Sequence, residues 1–273
     1  MKLNNKRTIL VGLAFLSICA FWQMYDSIVP LILTKTFHMN ETFSGAIMAA
    51  DNILALFLLP FFGSVSDKSH SKLGKRMPFI LFGTGCAIIL MNILPLLDNS
   101  YAAQPSGFKT ASFVIVLGLL LVAMGTYRAP AVALMPDVTP KPLRSRANAI
   151  INLMGAVGGI LYLGVAAVLY PNSKTAGLDH VNYQPLFIVV SAIMFVAVAV
   201  LFLTIREPKL TAENQALEKQ HPEWNLAQDD GSGHETLPKP VKKSLGFLLA
   251  SIALWFIGNC RDRKSGSAGM PRP

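Results

Sequence analysis

GSVSDKSHSKLGKRMP, Gly63 to Pro78, sets one acid, Asp67, and four cations, Lys68, Lys72, Lys75 and Arg76, between two long apolar runs. The run before it, Thr42–Phe62, and the run after it, Met77–Leu97, are each about as long as the 20-residue helix that crosses a bilayer. Four more runs have that character: Thr8–Thr34, Lys109–Met135, Ala147–Tyr170 and Pro185–Ile205. The expected fold class is therefore an all-α membrane protein, a six-helix transmembrane bundle over residues 1–205. Composition agrees, since 52% of the 273 residues are hydrophobic and only 14% are charged, against about 25% charged in soluble domains. The first run starts with basic residues as a signal peptide does. It continues too far for one and lacks a convincing small-residue cleavage site, so it reads as a retained helix.

A net charge of +9 is no sign of nucleic acid here, because Lys and Arg collect in particular connections. Counted through the N-terminus and the next five connections, they number three, one, four, one, three and one. Cytoplasmic connections of membrane proteins gather cations. The N-terminus, the Gly63–Pro78 loop and the connection bearing Lys141, Arg144 and Arg146 are thus expected inside, in an inner or plasma membrane. Residues 206–243, mixed in charge and rich in Pro and Gly, read as a cytoplasmic linker between bundles. Residues 244–259 read as an incomplete seventh helix and 260–273 as a polar tail. If the seventh run crossed, Arg261, Arg263, Lys264 and Arg272 would land outside, against the trend of every other loop. The expectation is a chain truncated or frame-shifted after Gly258. Asn40-Glu41-Thr42 is a glycosylation sequon on the outer side and serves equally well as a helix cap.

Charged groups inside spans cost about 2.5–3.5 kcal/mol on insertion scales, so those retained usually face a cavity or a partner. Asp26, Asp51 and Arg128 are the ionisable residues well inside. Asp26 and Asp51 each lie about 13 Å from the outer ends of helices one and two, so the two helices present carboxylates at similar depth. Trp22 and Tyr25 share the side of helix one that carries Asp26. An aromatic plate beside an acid suits a sugar, stacking on its C–H faces while the carboxylate takes hydroxyl hydrogen bonds. Asn52, Asn148 and Asn152 add polar contacts, the last two one turn apart on helix five. Arg128, about 15 Å deeper along its helix than the acids, is expected at the inner half of the same cavity rather than in an ion pair. Each of these residues has a plainer role open to it: acids and Asn as hydrogen-bonding glue, Trp and Tyr as an interfacial belt. Gly155, Gly158 and Gly159 read as a close-approach face.

With the loop placed after an even-numbered span, a family resemblance emerges. Major facilitator superfamily members carry Gly-x-x-x-Asp-Arg/Lys-x-Gly-Arg-Arg/Lys between helices two and three. Gly63, Asp67 and Lys68 match its first half, and the second glycine arrives late, at Gly74 before Lys75, Arg76 and Pro78. That stretched form resembles the sucrose/proton symporter and glycoside–pentoside–hexuronide branch. "APAVALMPDVTPKPLRSRANAIINLMGAVGG", with Asp137, Arg144 and Arg146, is similar to the same branch's helix-four-to-five region, and the resemblance runs from about Phe21 to Pro208. It implies the N-terminal half of a twelve-helix carrier. The chain departs from it in two respects. Melibiose-type symporters place cation-binding carboxylates one and two turns before the loop glycine, where this chain has Leu59 and Ala55, so a sodium site of that design is not supported. The plant sucrose carriers' helix-four arginine falls at Val132, so its role does not transfer to Arg128.

The acid of the loop suggests a gate. Asp67, with Gly63, Lys68, Gly74, Arg76 and Asp137 around it, would pair with Arg144 or Arg146 when the cytoplasmic side is shut and release when it opens. The function expected is proton-coupled symport of a disaccharide or other glycoside by alternating access, with sugar, protons and the lipid bilayer as partners and no nucleic acid. A half-length chain is not expected to complete that cycle alone. The alternatives are a carrier for another small solute and a non-transporting membrane fragment. An enzyme has least support: His38, His70, His180, His221 and His234 lie outside the spans, Cys19, Cys86 and Cys260 lack ligand spacing, and no cofactor or metal is implied.

Overall fold

A computed structural model describes residues 4–69, 71–171, 178 and 180–221, with the isolated positions 224, 247 and 251. The chain divides into two compact units, Met1–Pro222 and Glu223–Pro273. The proposed seventh helix, the polar tail and the second half of the linker lie outside the described residues but for Trp224, Phe247 and Ser251.

Among the described residues the first unit is built of helices: α1 (Asn5–Leu31, continued by a π-helical turn, Ile32–Thr36), α2 (Glu41–Asp67), α3 (Met77–Ala103), α4 (Gly107–Val138), α5 (Arg144–Leu169, preceded by a 3₁₀ turn, Lys141–Leu143), α6 (Gln184–Thr204) and α7 (Glu207–Gln220). Among the described residues six helices are long and apolar enough to cross a membrane, α1 to α6. All six expected spans are present, and most extend by several residues at their ends. Asn40 is the cap of α2, its side chain accepting from the Thr42 amide at 3.3 Å.

Helix neighbours do not follow chain order. α1 packs chiefly on α5 and α6, α3 on α4 and α6, and α2 chiefly on α4. Small residues set the closest approaches. A Cβ on Gly158 would strike the Leu16 carbonyl, and one on Gly155 would lie 2.9 Å from Cys19 Sγ, so the glycine face of α5 lets α1 press against its backbone. Gly83 of α3 gives the same access to the Tyr127 amide of α4. Polar ties cross the apolar seams: Tyr127 Oη lies 2.6 Å from Ser17 Oγ and donates to the Ala14 carbonyl at 3.0 Å. Asn92 of α3 donates to Ser191 of α6 at 2.7 Å. α2 is the rim helix, with only Ser44 and Ser66 buried.

Both ends are pinned by polar contacts. At the end opposite the basic loops, Thr36 Oγ1 lies 3.2 Å from His180 Nδ1, and the buried Asp98 approaches that nitrogen at 3.9 Å. At the basic end the segment expected to be a linker begins as helix α7. Glu207 and Pro208 open it, Leu210, Asn214 and Leu217 recur on one face, and Leu210 and Asn214 are buried. A helical strap over the bundle's end thus replaces the first part of the expected linker.

Candidate functional site

The basic end is organised around Arg76, the residue before α3. Its guanidinium donates Nε–H to Asp137 Oδ2 at 2.8 Å, Nη1–H to Ser66 Oγ at 2.5 Å and to the Gly63 carbonyl at 3.4 Å, and Nη2–H to Asp67. One planar fork therefore joins the last turn of α2 to the last turn of α4, which a point-charge ammonium could not do. Burial works against the charge of Arg76, but the hydrogen bonds and charges of Asp137 and Asp67 outweigh it and hold the pKa above its ordinary value.

Gly74 explains why the second glycine of the motif arrives late. Its amide closes a turn onto the Ser71 carbonyl at 3.0 Å, and its φ of 111° lies where side chains are strained. A Cβ there would also collide with the Glu207 carboxyl group. The space left by glycine admits that carboxylate to the start of α3, where it accepts from the amides of Lys75 at 2.7 Å, Arg76 at 2.9 Å and Met77 at 2.8 Å. α3 has no cap from its own sequence; Glu207 supplies one, at the helix end that favours negative charge.

Further contacts hold the strap. Arg144 donates to the Thr139 and Pro136 carbonyls at 3.2 and 2.9 Å and to Glu218 at 3.3 Å. Asn214 donates to the Asp137 carbonyl at 3.1 Å, and Arg7 pairs with Glu213 at 3.2 Å. The partner expected for Asp67 is therefore corrected: Arg76 holds it, Arg144 is engaged by α7 and by carbonyls, and Arg146 is exposed. Lys68 caps the C-terminal end of α2, its amide bonded to the Ser64 carbonyl at 3.3 Å. Glu207 is the residue that sequence reasoning missed. Its signal was an acid followed by proline at the start of a short amphipathic helix, but its partner lies some 130 positions away.

Within the spans, Trp22, Asp51, Ala55, Leu59, Gly125 and Arg128 line a cavity of about 20 Å³ among α1, α2 and α4. That is room for about one water. The Arg128 guanidinium lies 5.6 Å from the centre of the Trp22 ring, within cation–π range. Asn52 donates to Asp51 Oδ1 at 2.8 Å and orients that carboxylate.

Several expectations change here. Arg128 lines one cavity with Asp51, but a cavity small enough to set it beside the acid and not far below it. α4 has 32 residues and is about 48 Å long, well over the roughly 30 Å of hydrocarbon, so depth counted from its outer end was overstated. Tyr25 is no plate for a ligand: it is 0% exposed, stacked on Phe21 and edge-on to Trp22. Asp26, Asn52, Asn148 and Asn152 are exposed on the bundle's surface, outside the residues that line the Trp22–Asp51–Arg128 cavity. Ala55 and Leu59, at the positions of the melibiose-type carboxylates, do line it.

Comparison with known proteins agrees with this architecture. A family model described as Major Facilitator Superfamily matches residues 11–260. The sucrose transport protein SUC3 of Arabidopsis thaliana is 35% identical over 158 residues, covering 54% of this chain and 26% of that protein. The sucrose transport protein SUT3 of Oryza sativa subsp. indica is 36% identical over 154 residues, covering 51% and 30%. Solute carrier family 45 member 3 of Homo sapiens is 25% identical over 186 residues, covering 67% and 34%. The chain thus spans about a third or less of the length of these relatives. Six membrane-crossing helices, the Arg76 hub on its glycine-and-acid loop, and a family match over most of the sequence lead to one assignment: the chain belongs to the major facilitator superfamily.

Proposed function

We propose that this chain forms the N-terminal six-helix bundle of a sugar carrier that works by alternating access, with sugar and proton moving together. The observation that carries the reading is the convergence of Asp51, Arg128 and Trp22 on one cavity inside the spans. An acid and a base kept in hydrocarbon are expensive and are usually retained for a substrate or a proton. The indole ring offers a face to a sugar, Asp51 exchanges a proton and accepts from hydroxyls, and Asn52 holds the carboxylate in place. When Asp51 is ionised, it and Arg128 attract each other. When it is protonated, Arg128 is released to substrate oxygens, which couples proton and sugar. The names of the plant relatives support sugar as the substrate class.

The basic end is read as cytoplasmic from its excess of Lys and Arg, in an inner or plasma membrane. There the Arg76 hub acts as a two-state latch, closed as Asp67 and Asp137 share one guanidinium and open when α2 and α4 separate. Asp26, Asn148 and Asn152, on exposed positions, would face the second bundle that alternating access requires.

The test is uptake of labelled sucrose into proteoliposomes carrying this chain joined to the C-terminal bundle of a sucrose transport relative, with and without a pH gradient. Asp51→Asn is expected to lose gradient-driven accumulation and to keep exchange. Accumulation by Asp51→Asn equal to that of the parent would reject proton coupling at this residue. No sugar uptake by the joined parent would favour a non-transporting membrane fragment.

A further inference from the structure

Two adjoining hollows open at the basic end, on either side of the corner where α6 gives way to α7. The first, about 340 Å³, has an apolar floor of Leu73, Phe202 and Ile205 beneath Lys72, Arg206 and Lys209. The second, about 390 Å³, shares Ile205, Arg206 and Lys209 and adds Lys6 and Arg7. Lys72, Arg206 and Lys209 are exposed, and no ion pair engages them among the described residues. The acids nearby are occupied, Glu207 by the first amides of α3 and Glu213 by Arg7. The result is uncompensated positive charge over an apolar floor, at the level where a span ends.

A soluble anion would want polar groups on all sides. This groove instead continues into hydrocarbon. Phe195 lies two turns before Phe202 on the same face of α6, and both are exposed, forming an apolar lane about 10 Å long. We propose that the groove binds an anionic phospholipid, its headgroup phosphate against Lys72, Arg206 and Lys209 and one acyl chain along Phe202 and Phe195. Charge complementarity selects the headgroup and the lane selects a lipid over a free phosphate. The site joins the α2–α3 turn, through Lys72, to the start of α7, through Lys209. Those are the segments that Glu207 already ties, so bound lipid reinforces the strap. The inference needs only that the helices span a bilayer and does not depend on the transported solute.

The test titrates the purified 273-residue chain in detergent with short-chain phosphatidylglycerol, and in parallel with phosphatidylcholine and with glycerol 3-phosphate, read by native mass spectrometry. Preferential binding of phosphatidylglycerol is expected. Each neutralised cation weakens it about fivefold, so Lys72→Gln/Arg206→Gln/Lys209→Gln together weaken it about a hundredfold. Lys141→Gln/Lys219→Gln, which remove two cations outside the hollows, leave it unchanged. Should the triple variant not fold, Lys209→Gln alone, at an exposed position of α7, carries the fivefold expectation. Equal binding of phosphatidylcholine overturns the proposal, as does an undiminished affinity in the Lys209→Gln or triple variant. Equally tight glycerol 3-phosphate overturns it in favour of a soluble-anion site, and an equal loss in the control pair in favour of diffuse surface charge.

Discussion

Removing the Glu207 carboxylate tests whether α7 is a strap held by a few contacts or a helix resting loosely on the bundle. Glu207 is 3% exposed and accepts from three backbone amides at 2.7–2.9 Å. A hydrogen bond to a charged group contributes about 1.5–3 kcal/mol, and donors left buried without a partner cost about 1–3 kcal/mol each. These terms overlap, so Glu207→Ala is expected to cost about 3–5 kcal/mol of docking free energy in all. Hydrogen exchange in detergent reads that loss locally: amides of α7 and the first turn of α3 are expected to exchange at least about a hundredfold faster while the middle of α1 stays unchanged. Glu207→Gln keeps the shape and one acceptor oxygen and falls between the two. Glu213→Ala is the comparison, because its pair with Arg7 is solvent-accessible, with 47% of the Glu213 side chain exposed. Such pairs contribute about 0–1 kcal/mol, so α7 exchange there changes only a few-fold. Equal effects of Glu213→Ala and Glu207→Ala, or undisturbed protection at the start of α3 in Glu207→Ala, would refute the capping argument.

Gly158→Ala drives a methyl group into the Leu16 carbonyl, whereas an added Cβ at Gly164 meets nothing within 4 Å. Thermal unfolding in detergent is expected to show a loss of about 1–3 kcal/mol for the first and no loss, or a gain of about 0.5–1 kcal/mol, for the second; equal shifts would contradict the close approach of α1 and α5. Arg76→Lys is expected to destabilise by about 1.5–3 kcal/mol, because an ammonium cannot reach Asp67, Ser66 and Asp137 together. An unchanged unfolding temperature for that variant would remove Arg76 as the hub.

The spans were legible because hydropathy over about 20 residues is a local property with a length set by the bilayer. The close approach at Gly155 and Gly158 of α5 was legible for a similar reason, small residues clustered on one helix; Gly159, where an added Cβ would meet only Gln23 Oε1 at 3.9 Å, does not share it. What the sequence did not show was non-local. α1 chooses α5 over α2, a pairing that no local pattern specifies. Tyr25 and Trp22 lie on overlapping sectors of α1, yet only Trp22 lines the cavity, because several helices surround α1 and periodicity cannot say which neighbour each sector meets. α7 went unread because the Pro, Gly and charge downstream outweighed the modest repeat of Leu210, Asn214 and Leu217. Loop-to-loop pairing had pointed Asp67 to Arg144 or Arg146, whereas the cation it meets is Arg76, nine positions along the same loop.

The cap on α3 also bears on how the protein is made. The first amides of that helix take their acceptor from a residue synthesised 130 positions later, after three more spans have emerged. Until then the turn at Gly74 encloses an empty slot, and α3 begins with donors that only water can satisfy. Arrival of Glu207 closes the slot once α6 is in place, so correct insertion of the sixth span is registered at the entrance to the third. A nascent chain arrested at Arg206 should therefore show the Ser71–Met77 turn more open to protease than one arrested after Gln220.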